Sequence, residues 1–312
     1  MPLPAPTASA FRTITPGTLP GPEWHQFMLG AVAPRPIAFV STIDRAGNVN
    51  LSPFSFFNVF SSNPATLIFS PANRVRDNTQ KHTLYNVRDE VPECVINICD
   101  YALVEQMSLA STEYERDVNE FRKAGLTELA SDNVRPPRVA ECPVAFECVV
   151  EQVIAIGDSN GGGNLVVCRV VQSHFREDIL LANGPGIDPH KFDAVARLGG
   201  DWYSRVIPES LFEVPKPNRH KGIGIDELPA HIRHSEVLTG NNLGRLANIE
   251  RAALPSAEDV QAFRQEPLVA YTLNKFQHDA ALQRRQLQLL GQQLLEEGRL
   301  LDAWKTLLLA GE

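Results

Sequence analysis

The segment from residue 52 to residue 58 carries side chains suited to a flat ligand with a polar edge. It reads Ser52-Pro-Phe-Ser-Phe-Phe-Asn58, which combines three aromatic rings with two hydroxyls and one amide. Aromatic rings can form the apolar walls of a pocket, while hydroxyl, amide and backbone groups bind the edge of the ligand. A strand with three phenylalanines is more often part of an ordinary core, so this segment alone favours a core over a binding site.

A second segment, residues 73–86, could bind a phosphate group. Its cations and hydroxyls are Arg74, Arg76, Thr79, Lys81 and Thr83. Helical patterning over 78–88, with Thr79 as the expected cap, would place them at a helix N-terminus, where free N–H groups and the helix dipole favour an anion. Taken alone, however, the segment is more typical of a solvated charged surface.

Other motifs carry less weight. The sequence has neither the G-x-x-x-x-G-K-[ST] phosphate loop nor the G-x-G-x-x-G dinucleotide fingerprint. Ser159 stands in a G-x-S-x-G string, but that motif needs a strand-to-helix turn, and this string lies in a glycine-rich loop between two predicted strands. His231 and His234 are three residues apart on a predicted helix, and a surface or interface pair is favoured over a metal site.

The five cysteines indicate buried, structural thiols. They are Cys94, Cys99, Cys142, Cys148 and Cys168. Their number is odd, they never form C-x-x-C, and most lie in apolar strand-like segments, which disfavours zinc and redox motifs. A reducing compartment is therefore expected.

The elements that must position these residues are mainly strands. Stiff Pro34-Arg-Pro36 leads into an apolar, β-branched run over 36–43, and turn residues 44–47 separate it from a run over 49–60, which predicts a hairpin. Further strands are expected at 65–70, 93–98, 144–151 and 164–171, and helices at 78–88 and 101–123. Without a regular strand–helix alternation, this pattern favours an antiparallel barrel over a doubly wound parallel sheet.

The two ends of the chain differ from this central region. Residues 1–24 are expected to form a flexible N-terminal arm without a signal peptide, and the Pro- and Gly-rich residues 207–225 a linker. Residues 226–312 are expected to be a helical extension, with a capping box from Ser256 to Asp259 and a break at Gly298. An apolar stripe from Leu287 to Leu308 is expected to pack on the barrel or on a second subunit, not to bind a cofactor.

Composition excludes several classes of function. The 312 residues carry a net charge of −8, from 29 basic and 37 acidic side chains, which argues against a broad nucleic-acid surface. No apolar run approaches the roughly 18–20 residues that a membrane-spanning helix needs. We therefore expect a cytoplasmic protein with no nucleic-acid or membrane partner.

Four strings, in order, resemble the flavin-reductase-like family of FMN-binding split barrels. They are Pro34-Arg-Pro-Ile-Ala-Phe-Val-Ser-Thr42, Asn50-Leu-Ser-Pro-Phe-Ser-Phe-Phe-Asn58, Lys81-His-Thr83 with Asn86, and Arg197-Leu-Gly-Gly-Asp-Trp-Tyr203. The resemblance covers residues 25–206 and implies an FMN-binding domain there. The implied fold is mainly β: a six-stranded antiparallel Greek-key split barrel with inserted helices, followed by an all-helical C-terminal extension that a short reductase lacks.

The resemblance also implies a homodimer with FMN at the interface and a set of cofactor-binding residues. That set is Arg35, Pro36, Ser52, Pro53, Phe54, Ser55, Asn58, Ser70, Arg74, Lys81, His82, Thr83 and Tyr203. Residues 52–55 and Asn58 would follow the isoalloxazine and ribityl, and residues 197–203 would close the pocket near the ring. Lys81 and Thr83, with Ser70 or Arg74, would face the phosphate. His82 is a departure, because family members often carry an acid at that position.

The implied activity is hydride transfer from NADH or NADPH to flavin or another small acceptor, with a monooxygenase as a possible partner. The cofactor supplies the reactivity in such chemistry, so no catalytic acid, catalytic base or metal is assigned. Two alternatives stay open. One is a non-catalytic FMN carrier or sensor, and the other is a haem-binding or oxidase use of the barrel with His174 or His190 as an axial ligand.

Overall fold

A computed structural model describes residues 11–217 and 221–311. The chain forms two compact units, Thr13–Phe212 and a second unit from Glu213 to the C-terminus. The first ten residues of the expected arm and three residues of the expected linker lie outside the described residues. Helix α1 begins at Gly21 and ends at Ala31. It therefore starts inside the segment expected to be an arm, residues 1–24, and continues past its end.

The first unit is built on one antiparallel sheet of seven strands, as the sequence predicts for a mainly β fold. Along the sheet the strands run in the order β3-β2-β6-β9-β10-β5-β4. Their bounds are Ala38–Ile43 (β2), Val49–Phe54 (β3), Phe57–Ser62 (β4), Ala65–Phe69 (β5), Glu93–Ile98 (β6), Val144–Ile156 (β9) and Gly163–Phe175 (β10). Two smaller sheets join β1 (Arg35–Pro36) to β11 (Val195–Arg197) and β12 (Tyr203–Arg205), and β7 (Glu128–Leu129) to β8 (Arg138–Val139).

The sheet must curl, because its two edge strands are neighbours in the chain. β3 and β4 lie at opposite edges, yet only Ser55 and Phe56 connect them. Two residues span at most about 7 Å, far less than the width of seven strands spaced about 4.8 Å apart. The edges therefore meet at this point, where the Ser70 N–H donates to the carbonyl of Phe56 at 2.8 Å.

This junction also explains a difference from the sequence prediction. The run over 49–60 was expected to be one strand, and the resemblance implied six strands. The chain instead leaves its partner β2 after Phe54 and pairs with β5 from Phe57 onward, so one run becomes two strands. The count in the main sheet is therefore seven.

Both faces of the central strands are covered. On β2, Ala38 and Val40 lie in a core with Phe54, Phe69 and other residues enclosed by the curled sheet. Phe39 between them packs on the other face, in a second core that includes Met107 and Phe121 from the inserted helices. A strand buried on both faces loses the alternation of apolar and polar residues, and Ile37 to Val40 accordingly form an unbroken apolar run.

The inserted helices are shorter than the sequence predicts. They are α2 (His82–Tyr85), continued by a π-helical turn at Asn86–Glu90, then α3 (Val104–Leu109) and α4 (Glu120–Ala124). Thr79 does not cap α2, because its hydroxyl donates to Asp77 and Lys81 takes the N-cap position. The predicted helix over 101–123 is broken, since α4 begins anew with Asn119, whose side chain accepts from the N–H of Phe121.

The second unit is helical, as expected. Its helices are α5 (Ala230–Arg233), α6 (Gly240–Ala247), α7 (Ala257–Phe263), α8 (Pro267–Lys275), α9 (Ala280–Glu296) and α10 (Leu300–Leu309). The capping box is present: Ser256 Oγ accepts from the N–H of Asp259, and a carboxylate oxygen of Asp259 accepts from the N–H of Ser256. Gly298, with φ +81°, separates α9 from α10. In the parts of the chain that the structure describes, no helix is both long enough and apolar enough to cross a membrane.

Candidate functional site

The point where the two sheet edges meet opens into a cleft. Two adjoining cavities of about 220 and 190 Å³ share the walls Pro53, Phe54, Ser55 and Arg197. The first extends toward Ser70 and Lys81, and the second toward Met107 and Tyr203. The cleft therefore follows the end of β3 from a cationic side to an aromatic side, and it lies wholly within the first unit.

Arg35 holds together the backbone segments that form one wall of this cleft. The residue is 5% exposed, and its guanidinium donates to three backbone carbonyls, those of Leu29 (2.5 Å), Val32 (2.7 Å) and Leu198 (2.8 Å). Its remaining Nε–H faces Ser55 Oγ at 3.5 Å. Burial, and then the nearby Arg197 charge, lower the pKa of Arg35. Most of its donors are used inside the protein, so Arg35 positions the wall of the cleft.

The edge position of β3 explains why Pro53 fits there. Leu51 turns its N–H away from β2 and donates to Glu120 Oε2 at 3.0 Å. Backbone groups on an antiparallel strand alternate in direction, so Pro53, two residues on, is also turned away from β2. A proline costs no ladder bond on that side. Its ring forms part of the cleft wall beside Phe54, which packs against Phe69 with ring centroids 5.3 Å apart.

At the cationic side, Lys81 is half-buried and lacks a polar partner. Its ammonium lies 5.1 Å from the ring centroid of Phe54 and forms no hydrogen bond or ion pair with any residue in 11–217 or 221–311. Burial, followed by repulsion from Arg74, lowers the pKa of Lys81. A cation in this environment favours an anionic ligand, because an anion would offset both costs.

Arg74 and His82 line a small cavity together with Lys81. Arg74 donates through Nε to Glu113 at 2.7 Å and through Nη1 to Thr79 Oγ1 at 2.8 Å. Burial, then the Arg74 charge, lower the pKa of His82. The cavity that these residues line together measures about 30 Å³.

A buried hydrogen-bonded chain, which sequence reasoning missed, holds Thr83. The Thr83 hydroxyl donates to Asn50 Oδ1 at 2.7 Å, and Asn50 Nδ2 donates to Glu120 Oε1 at 2.8 Å. Burial raises the pKa of Glu120. Asn50 belongs to one of the resemblance strings, but nothing in the local pattern marked Glu120, because its partners lie about 70 residues away.

At the aromatic side, Arg197 lies over Tyr203. The guanidinium carbon is 4.5 Å from the Tyr203 ring centroid, and Nη1 donates to the Trp202 carbonyl at 3.3 Å. Ser52 is buried at the small cavity. Ser70 is buried at the cleft, and its Oγ accepts from the N–H of Asn164 at 3.1 Å. The α1 residues His25 and Leu29 also line the cleft, and the sequence analysis did not predict them.

The structure does not bring two of the expected site residues to the cleft. Asn58 lies on β4 with an exposed side chain whose Oδ1 accepts from the N–H of Val59 at 2.8 Å. Pro36 is exposed and pairs with Ala196 in a small sheet. The other eleven members of the set line the cavities described above.

The remaining candidate groups have ordinary structural roles. Ser159 lies in the loop between β9 and β10, and His231 Nε2 is hydrogen-bonded to the carbonyl of Leu307 at 2.9 Å. His174 Nε2 is bonded to the buried Glu147 at 2.8 Å. All five cysteines are free thiols, and four of them are buried.

Comparison with known proteins identifies the family. The model of the flavin reductase like domain matches residues 29–186. An uncharacterized protein from Aquifex aeolicus is 37% identical over 195 residues, covering 62% of this chain and 95% of its own. The chain belongs to the flavin reductase like family.

Solved structures agree. Nitrilotriacetate monooxygenase component B from Bacillus cereus is 26% identical with a TM-score of 0.60, covering 67% of this chain and all of its own. The split barrel domain of a flavin-reductase-type protein from Shewanella frigidimarina is 23% identical with a TM-score of 0.55, covering 64% and 94%. The first unit is thus a split barrel of a flavin-binding oxidoreductase family, and the helical unit lies outside the family match.

Proposed function

We propose that this protein is an FMN-dependent oxidoreductase that passes hydride from NADH or NADPH to flavin or another small acceptor. The observation that carries the proposal is the cleft, with an apolar wall at Pro53 and Phe54 and the Lys81 ammonium toward one end. Among the described residues, that ammonium has no hydrogen-bond or ion-pair partner. A flat ring with a phosphate tail matches that arrangement of surfaces. Family membership supports flavin as the ring.

The cationic and hydroxyl side chains of the site fit FMN on chemical grounds. Lys81 and Arg74 provide cations near the small cavity, and a phosphate is their natural ligand because charge-assisted hydrogen bonds to phosphate are strong. Thr83 already donates its proton to Asn50, so its hydroxyl is available to a ligand only as an acceptor. We therefore assign phosphate binding to Lys81 first and treat Thr83 as part of the wall.

The protein's contribution to catalysis is orientation. When bound, the flavin supplies the hydride chemistry, so no residue of this chain has to act as acid or base. Pro53 and Phe54 present a rigid wall, Arg35 holds Ser55 in position, and Arg197 places positive charge at the aromatic side. These groups would fix the ring and tune its electron affinity.

A homodimer and an oxygenase partner belong to the same proposal. The edge strand β4 exposes Val59 (66%) and Phe60 (63%), and an apolar sheet edge of this kind is suited to pairing with another chain. The likeness to a monooxygenase component B supports delivery of reduced flavin to an oxygenase. Free thiols support a cytoplasmic setting.

The test is the identity and turnover of the bound cofactor. We expect the purified protein to show a flavin spectrum, to release FMN on denaturation, and to consume NADH or NADPH when free flavin is added. Released FAD would overturn FMN as the cofactor, and a haem spectrum would favour the alternative use of the barrel. Bound FMN without donor consumption would identify a carrier. Size-exclusion chromatography with light scattering tests the dimer.

A further inference from the structure

An acidic residue, Glu113, lines the small cavity beside Lys81. Glu113 accepts from Arg74 Nε at 2.7 Å and from Arg76 Nη2 at 3.2 Å, and it lines the cavity together with Arg74, Lys81 and His82. It belongs to the loop between α3 and α4. A carboxylate therefore lies among the cations to which the proposed function assigns the ligand phosphate.

Little space is free inside this cavity beside Glu113. Its volume of about 30 Å³ has room for one or two water molecules. Arg74 also has its Nη1 engaged within the protein, because Nη1 donates to Thr79 Oγ1 at 2.8 Å and to the Gln80 carbonyl at 3.3 Å. An anion that is to reach Arg74 Nε must take the place of the Glu113 carboxylate.

Glu113 can leave this position without losing its ionic partner altogether. Its side chain is 51% exposed, and its second partner, Arg76, is 72% exposed and does not line the cavity. Arg74, by contrast, is only 19% exposed and stays beside Lys81. A rotation of the Glu113 side chain toward Arg76 would free the Nε–H of Arg74 for another anion.

We propose that Glu113 is a displaceable stand-in for the ligand phosphate, which releases Arg74 to an incoming phosphate monoester and then pairs with Arg76. The proposal rests on the proposed function for the identity of the ligand. It makes Glu113 a residue that sets the affinity for phosphate-bearing flavin without affecting the binding of the ring.

The test compares Glu113→Gln with the wild type in titrations of flavin-free protein with FMN and with riboflavin. Glutamine keeps the shape but removes the competing charge, so FMN should bind more tightly by on the order of tenfold while riboflavin changes little. Asp117→Asn is the matched control, because Asp117 is exposed in the same loop and forms no ion pair within the described ranges. It should leave both affinities unchanged.

The proposed move of Glu113 from Arg74 to Arg76 has its own test. Arg76→Gln should weaken FMN binding more in the wild type than in the Glu113→Gln background, because only the wild type needs Arg76 to receive the displaced carboxylate. Equal or weaker FMN binding by Glu113→Gln, or an equal tightening for riboflavin, would overturn the proposal.

A failure of the proposed function would be visible separately. If the wild type bound no flavin, titration with inorganic phosphate followed by ³¹P NMR would still test the stand-in. Glu113→Gln should then bind phosphate more tightly than the wild type, and unchanged binding would overturn the inference.

Discussion

At the scale of single residues, Lys81 is partly buried, and its ammonium forms no hydrogen bond or ion pair within the part of the chain that the structure describes. Its pKa is lowered by burial and by Arg74, and an anion beside it would relieve both effects. Sequence alone identified the lysine and its neighbours Arg74 and Thr83. It could not show that Arg74 is paired with Glu113, 39 residues away, or that the Thr83 hydroxyl is committed to Asn50.

Lys81→Ala should weaken FMN binding by about 1–3 kcal/mol, the scale of a charge-assisted hydrogen bond. Riboflavin, which lacks the phosphate, is the control ligand and should lose much less. Titration of both ligands against both proteins makes the comparison. Equal losses for the two ligands would remove Lys81 from the phosphate site.

Glu147 gives a stability prediction with a defined pH dependence. Burial raises its pKa, but hydrogen bonds from the Asp132 N–H, from His174 and from the Asn133 N–H together hold it below the ordinary value of 4.5. A lowered carboxyl pKa contributes stability above the unfolded value and loses it as pH falls through the folded value. Glu147→Gln should therefore cost about 1–3 kcal/mol at neutral pH, with a smaller cost in acid.

Urea unfolding at several pH values measures this difference. Glu151→Gln on the same strand is the control, because its ion pair with Arg169 is exposed and should contribute less than about 1 kcal/mol. A cost for Glu147→Gln that stayed constant or grew toward acid pH would contradict this account of Glu147.

At the scale of elements, the sequence predicted the β2–β3 hairpin and both long strands, because alternation and turn residues are local signals. It did not predict the division at Ser55 and Phe56, since hydrophobic periodicity gives a strand but not its partner. Helix α1 was also missed, and none of its residues is fully buried. Its position depends on Arg35 and on Gly199, where an added Cβ would lie 3.2 Å from Gly30 Cα.

Arg35→Lys should destabilise the barrel unit by about 1–3 kcal/mol, because an ammonium cannot reproduce the fork that satisfies the Leu29, Val32 and Leu198 carbonyls. Flavin binding should weaken with it, since the same fork holds the cleft wall. Arg45→Lys is the control, with a side chain that is 73% exposed. If both variants unfolded at the wild-type midpoint, Arg35 would not be the tie between these elements.

At the scale of the whole molecule, the chain combines a flavin-binding barrel with a helical unit that has its own cores. Sequence predicted helices there because capping boxes and apolar stripes are local features. Leu301 was expected on the apolar stripe, yet it is 48% exposed, because Gly298 changes the direction of the chain between α9 and α10.

Gly291→Ala tests the packing of the helical unit. The added Cβ would lie 2.7 Å from Leu307 Cγ, so α9 and α10 would have to separate at a cost of about 1–3 kcal/mol. Gly244→Ala in α6 is the matched control, because nothing lies within 4 Å of its added Cβ, and it should gain about 0.5–1 kcal/mol. Calorimetry measures both effects, and flavin affinity should not change, because the cleft residues lie in the first unit.

The measurement that tests the central claim most directly is anaerobic stopped-flow reduction of the FMN-loaded protein by NADH and by NADPH. The proposed oxidoreductase should lose its flavin absorption with at least one donor, in a single-turnover phase that saturates with donor concentration. A bound flavin that stayed fully oxidised with both donors would contradict the account.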